Sequence, residues 1–120
     1  MSDKKKILIC DDEEGIRESL KLILSDKYEL IFACNGNECL NALKKEKNIH
    51  LILIDIKMPK QNGLEVTKEV KSLNPAAKVI IITGYESVEI AQEATAAGAD
   101  AYITKPFESK KILAEISKFY

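Results

Sequence analysis

Five short apolar runs alternate with five stretches of helical periodicity along 120 residues, and few folds accept that alternation. The runs are Ile7-Leu8-Ile9-Cys10, Tyr28-Glu29-Leu30-Ile31-Phe32-Ala33, Leu51-Ile52-Leu53-Ile54, Val79-Ile80-Ile81-Ile82 and Ala101-Tyr102-Ile103-Thr104. Between them, Ile16, Leu20, Ile23 and Leu24 recur on one helical face, as do Val66, Val70 and Leu73. An Asn35-Gly36 turn precedes a helix carrying Cys39, Leu40 and Leu43, and Asn74-Pro75 stops the third helix. Val88, Ala91 and Ala94, closed by Gly98, predict a fourth helix, and Ile112, Ile116 and Phe119 a fifth. The order is (βα)5. Parallel neighbours need crossovers, so the expected fold class is α/β, a five-stranded parallel sheet with helices on both faces. The central runs support this, because strands covered on both sides read as continuous Ile/Leu/Val rather than alternating.

No internal linker or repeat breaks the pattern, so residues 1–120 are expected to form one domain. With 46% hydrophobic and 31% charged residues, a chain of this length can build one core. The formal net charge of -1 gives no general electrostatic case for nucleic-acid or membrane binding. Lys4-Lys5-Lys6 precedes an apolar stretch that stops at Asp11-Asp12, too short for a secretory signal, and a cytoplasmic location is expected. The helix ending at Phe119-Tyr120 without a polar tail favours a piece of a longer chain.

Four of the five apolar runs lead at once into a reactive-looking polar residue. Asp11-Asp12 follows the first, Asp55 the third, Thr83 the fourth and Lys105 the fifth. In a parallel sheet of order 2-1-3-4-5 these strand ends share one edge, and the reversal between strands 1 and 3 opens a crevice there. Three carboxylates so close resist joint ionisation unless a cation is shared, and all-oxygen ligation suits Mg²⁺, with Mn²⁺ as a substitute. Thr83 and Lys105, from the far side of Asp55, are placed to hold the oxygens of a phosphoryl group. Taken singly, each residue has a plainer role: Asp11-Asp12-Glu13-Glu14 as a helix cap, Asp55 as a turn residue, Thr83-Gly84 as a helix lead-in, Lys105-Pro106 as a loop. Their joint placement at four strand ends is what points to chemistry.

Cys10, Cys34 and Cys39 have no metal-type spacing. Cys10 and Cys34 close apolar runs and are expected to be buried, with Cys39 on the second helix. His50, the sole histidine, enters the third strand far from the acids and is expected at the surface or the sheet edge.

The motifs Ile-Cys-Asp11-Asp12-Glu13, Asp55-Ile-Lys-Met-Pro59 with Gly63, Thr83-Gly84 and Tyr102-Ile-Thr-Lys105-Pro106-Phe107 together resemble the receiver domains of bacterial two-component response regulators, the CheY-like superfamily. The resemblance covers essentially the whole chain. It implies that Asp55 is the phosphoacceptor and that Asp11, Asp12, Asp55 and the backbone carbonyl of Lys57 hold Mg²⁺. It further implies that Thr83 and Lys105 bind phosphoryl oxygens, that Tyr102 is the switch aromatic, and that the Lys105-Pro106 bond is cis.

The resemblance also implies partners: a sensor histidine kinase or histidine phosphotransfer protein upstream, and an output protein or effector domain downstream. Such a chain catalyses its own phosphorylation and dephosphorylation without turning over an external substrate. Thr83-Gly84-Tyr85 with Ser87-Val88-Glu89 is similar to receivers joined to transcriptional activators. The fourth helix, with Ile90, Ala91, Ala94, Ala96 and Ala97, is open to two readings: a low-relief face for helix docking or phosphorylation-dependent dimerisation, or ordinary close packing on the sheet.

A phosphatase of the haloacid dehalogenase type would need a second acid where Lys57 stands, and a cobalamin-binding domain a His after the third strand. A pseudo-receiver acting only by protein contact is the remaining alternative. Lys57 and Tyr85, two residues beyond Asp55 and Thr83, should flank the path to the phosphoryl group. Bulky Tyr85 is then expected to shield the acyl phosphate from water. Tyr85→Ala should shorten its lifetime, and an unchanged hydrolysis rate would count against the shield.

Overall fold

The computed structural model describes residues 4–46, 48–58, 61–84 and 87–120; Pro59 and Tyr85 lie outside them. Strands β1 (Lys5–Cys10), β2 (Tyr28–Ala33), β3 (Ile49–Ile54), β4 (Lys78–Thr83) and β5 (Ala101–Thr104) alternate with helices α1 (Glu14–Leu24), α2 (Gly36–Lys45), α3 (Gly63–Leu73), α4 (Val88–Ala97) and α5 (Ser109–Ser117). All pairings are parallel, in the order β2-β1-β3-β4-β5. This is the flavodoxin-like doubly wound sheet that the alternation predicts. Among the described residues no helix is long and apolar enough to cross a membrane.

Two apolar layers hold the sheet between the helices. Leu8, Cys10, Ile52, Ile54, Val79 and Ile81 face one way, packing with Cys39, Leu40 and Leu43 of α2, Val66 and Val70 of α3 and Ala94 of α4. Their neighbours Ile7, Ile9, Leu51, Leu53, Ile80, Ile82 and Ile103 face the other way, with Leu20 and Leu24 of α1 and Ile112 and Ile116 of α5. The period-2 pleat thus divides each continuous apolar run between the two layers. Burial at about 25 cal/mol per Å² of apolar surface is the main force holding the helices in place.

Local signals end the helices where expected. Asn35 and Ser87 accept from the backbone N–H three residues on, at 2.9 and 3.0 Å, and cap α2 and α4. Asn62 does the same for α3 through Leu64 N–H at 2.7 Å. Gly98 terminates α4 with φ of 108°, a left-handed conformation that favours glycine.

Four expectations need correction. Cys34 is exposed, because the chain has already left the sheet after Ala33 and turned into α2. Val88 is 71% exposed, since it is the first residue of α4 and faces away from the sheet; Ile90, Ala94 and Ala97 make the inward stripe. Leu73 is 51% exposed at the last turn of α3. Phe119 packs against the α1/α5 layer from just beyond the end of α5 rather than within it. Ala94 packs in the layer over the sheet, Ala97 is buried, and Ala96 is exposed.

His50 is exposed as expected, at an irregular point of the sheet. The register of β1 and β3 shifts between Lys6 and Ile7, so Lys6 pairs with Ile49 and Ile7 with Leu51. Tyr120 fills the break: its hydroxyl accepts from His50 N–H and donates to the Lys6 carbonyl, while its ring stacks on Tyr28 at 5.9 Å. Removing the hydroxyl leaves both backbone groups short of a partner. Tyr120→Phe is therefore expected to lower stability by about 1–2 kcal/mol in urea unfolding.

Candidate functional site

The sheet ladder runs one residue past three of its strands, and this aligns the polar residues. Asp11 N–H donates to Ala33 O at 3.1 Å, Asp55 N–H to Cys10 O at 2.9 Å and Lys105 N–H to Thr83 O at 2.8 Å. Each side chain following an apolar run is thereby carried to the same edge. The Lys105-Pro106 bond is cis, as the resemblance implies. Glu13, Asp55, Lys57, Thr83, Gly84 and Lys105 line a cleft of about 250 Å³.

Asp11 and Asp55 are buried at the floor, 2% and 3% exposed, whereas Asp12 and Glu13 are open to solvent. Lys105 is the cation between them. Its Nζ donates to Asp11 Oδ2 at 3.0 Å, Asp55 Oδ2 at 3.1 Å and Glu13 Oε1 at 3.2 Å, which uses all three ammonium hydrogens. Asp11 Oδ1 accepts from Glu13 N–H at 2.9 Å, and Lys57 N–H lies 3.4 Å from Asp55 Oδ1, a long contact.

Burial holds the carboxyls of Asp11 and Asp55 above the usual range, and for Asp55 the charge of Asp11 adds to the effect. Burial alone would lower the Lys105 ammonium, but its hydrogen bonds and charge contacts with Asp11 and Asp55 outweigh that and raise it. One ammonium divided among three carboxylates is stabilised by all of them yet does not fully compensate the buried pair.

That imbalance makes the pocket fit a dication. Asp11, Asp12, Glu13 and Asp55 each offer a carboxylate oxygen, all within 4.8 Å of one another. A donor set of oxygens alone suits a hard ion such as Mg²⁺. The structure thus brings together Asp11, Asp12, Asp55, Thr83 and Lys105, with Lys57 on the cleft wall. Thr83, the last residue of β4, is 1% exposed. Tyr102 is half-buried on β5, its ring packed against the α2/α3/α4 layer. Tyr85 lies outside the described residues.

Two contributors have no role of their own legible in the sequence. Glu13 was visible only as part of an acidic run, yet it reaches Lys105 and lines the cleft. Arg17 carried no signal at all; its Nη1 donates to the Asp11 carbonyl at 2.8 Å.

The chain is similar to known proteins over nearly its whole length. The family described as the response regulator receiver domain matches residues 7–117. The chain is 38% identical to the chemotaxis protein CheY of Halobacterium salinarum, covering 94% of each. It is 34% identical to sporulation initiation phosphotransferase F of Bacillus subtilis, covering 96% of this chain and 93% of that protein. The crystal structure of a CheY-like receiver domain protein from Methanospirillum hungatei superposes with a TM-score of 0.91 at 38% identity, over 98% of this chain and 94% of that one. The chain therefore belongs to the receiver domains of two-component response regulators.

Proposed function

We propose that residues 1–120 act as one receiver domain in the cytoplasm, with Asp55 as its phosphoacceptor, charged by a histidine kinase or a histidine phosphotransfer protein. The observation that carries this reading is buried Asp55 beside Lys105 in one open cleft, with buried Asp11 paired to the same ammonium. The carboxylates of Asp11, Asp12 and Asp55, with the backbone carbonyl of Lys57, would hold Mg²⁺ or, in its place, Mn²⁺. When bound, the ion supplies positive charge that offsets the charge gathered on the transferring group.

A carboxylate oxygen of Asp55 attacks phosphorus without a general base, because it is ionised once paired with a cation. One P–O bond forms to Asp55, and the bond to the donor's imidazole nitrogen or acyl oxygen breaks on the opposite side, the leaving group keeping the electron pair. Lys105 exchanges Asp55 Oδ2 for a phosphoryl oxygen, and the Thr83 hydroxyl turns to donate to another. Water using the same line hydrolyses the product, which returns Asp55 as a carboxylate.

Signalling follows from the move of Thr83. As its hydroxyl shifts toward the phosphoryl group, the half-buried Tyr102 ring closes inward, and the surface of α4, β5 and α5 changes its affinity for an output partner or a second copy. The formal net charge of -1 gives the domain no general electrostatic attraction to nucleic acid or membrane.

The test is intact mass after incubation with acetyl phosphate, with Mg²⁺ and with excess chelator. One added phosphoryl group, base-labile and absent with chelator, is expected; a folded protein that gains nothing with Mg²⁺ would oppose the assignment.

A further inference from the structure

Arg17 occupies a place that helix electrostatics disfavours. It is the fourth residue of α1, in the N-terminal part where the helix dipole favours anions. Its side chain runs back toward the helix start and donates from Nη1 to the carbonyl of Asp11 at 2.8 Å. That carbonyl lies where the ladder runs out: Asp11 N–H still bonds to Ala33 O, and α1 begins three residues later. The cap residue Glu13 makes no side-chain bond to the helix, and its own N–H is taken by Asp11 Oδ1. The Asp11-Asp12 peptide is therefore held at its oxygen by Arg17, and the next peptide, Asp12-Glu13, at its N–H by the Asp11 carboxylate.

We infer that Arg17 is a positioning residue for the cation site, clamping the Asp11 carbonyl so that the carboxylates of Asp11 and Asp12 converge with Asp55. Rotation of this one peptide would swing exposed Asp12, which has no helix turn to hold it, away from the cluster of oxygens within 4.8 Å. Arg17 itself touches neither the ion nor the phosphoryl group. The inference rests on the reading of the acidic cluster as a divalent-cation site.

The test measures Mn²⁺ binding to the full chain from loss of the free-ion EPR signal, with Mg²⁺ as competitor, alongside thermal melts. Native chain, Arg17→Met and Arg17→Lys are compared. Arg17→Met is expected to weaken Mn²⁺ binding by about tenfold or more, the usual effect of removing an outer-shell partner. Arg17→Lys, which keeps a cationic donor, should recover part of the loss. A merely structural role would lower the melting temperature of Arg17→Met and leave Mn²⁺ affinity at the native value, and that result overturns the inference. If Arg17→Met does not fold, Arg17→Leu, which also lacks a donor, decides: affinity below native supports the clamp, and native affinity refutes it. A native chain that binds no Mn²⁺ would instead remove the cation site and the clamp with it.

Discussion

Asp55→Ala abolishes phosphoryl uptake from acetyl phosphate and at the same time yields a protein that melts above the native chain in metal-free buffer at pH 7. The loss of uptake follows from removing the nucleophile, for which Asp11, already committed to Lys105 and Glu13 N–H, is no substitute. The gain in stability follows from the sign of the carboxyl shifts. Burial, and for Asp55 the neighbouring Asp11 charge, hold both pKa values above those of the unfolded chain. A raised acid destabilises the fold when ionised. The penalty is full above the folded pKa, shrinks as pH falls toward the ordinary value of about 4, and vanishes below it. Removing Asp55 deletes one penalty and relieves Asp11, while Lys105 keeps Asp11 and Glu13 as acceptors. The advantage of Asp55→Ala should therefore narrow as pH is lowered from 7 through the raised carboxyl pKa toward the ordinary value of about 4, and Mg²⁺ should raise the melting point of the native chain more than that of the variant. Thermal melts across that range check both trends. A variant less stable than native at pH 7 would contradict this electrostatic account.

Gly63→Ala is expected to do the greatest damage to the fold of any single added methyl at the site. The start of α3 is pressed against the loop leaving β3: Gly63 N–H donates to Ile56 O at 2.8 Å. A Cβ there would run into the Asp55 carbonyl oxygen and lie 2.7 Å from Ile56 Cα and 2.8 Å from the Asp55 carbonyl carbon. These are backbone atoms that cannot swing aside. Relief requires moving α3, which buries Val66 and Val70 in the core, or moving the backbone of Asp55 itself. The expected cost is about 2–4 kcal/mol in urea unfolding, in the range of overpacked cores. Whatever fraction folds should take up phosphoryl more slowly, because Asp55 is displaced. A stability within about 0.5 kcal/mol of native, the usual range for harmless substitutions, would mean that the two segments separate more easily than the contact indicates.

Much of this was legible in the chain because the periodicities are strong. The second and fifth strands occupy the residues that their apolar runs mark, and the two-sided burial of the Ile/Leu/Val runs is what their continuity predicts. The misses have local causes. Lys5, Lys6, His50 and Lys78 belong to strands through backbone bonds that side-chain polarity hides. Val88 and Leu73 fit a helical stripe on paper, but each lies at an end turn of its helix and is left exposed.

At the site, Asp11, Asp55, Thr83 and Lys105 could be found because a parallel sheet must bring its strand ends to one edge. Glu13 could be weighed only with its acidic neighbours, since nothing in sequence says that a lysine 92 positions away reaches it. Arg17 was invisible for a stronger reason. Its role depends on a single backbone carbonyl, and a side chain's bond to one main-chain oxygen six residues away leaves no mark in the residue types.

The most direct test of the central claim is to locate the phosphoryl group. The native chain is phosphorylated with acetyl phosphate and Mg²⁺, the acyl phosphate is reduced with borohydride to a stable alcohol, and the modified peptide is mapped by mass spectrometry. The account predicts conversion at Asp55, with none at Asp11 or Asp12. Modification at another residue, or a phosphoryl group that resists base and borohydride, would contradict it.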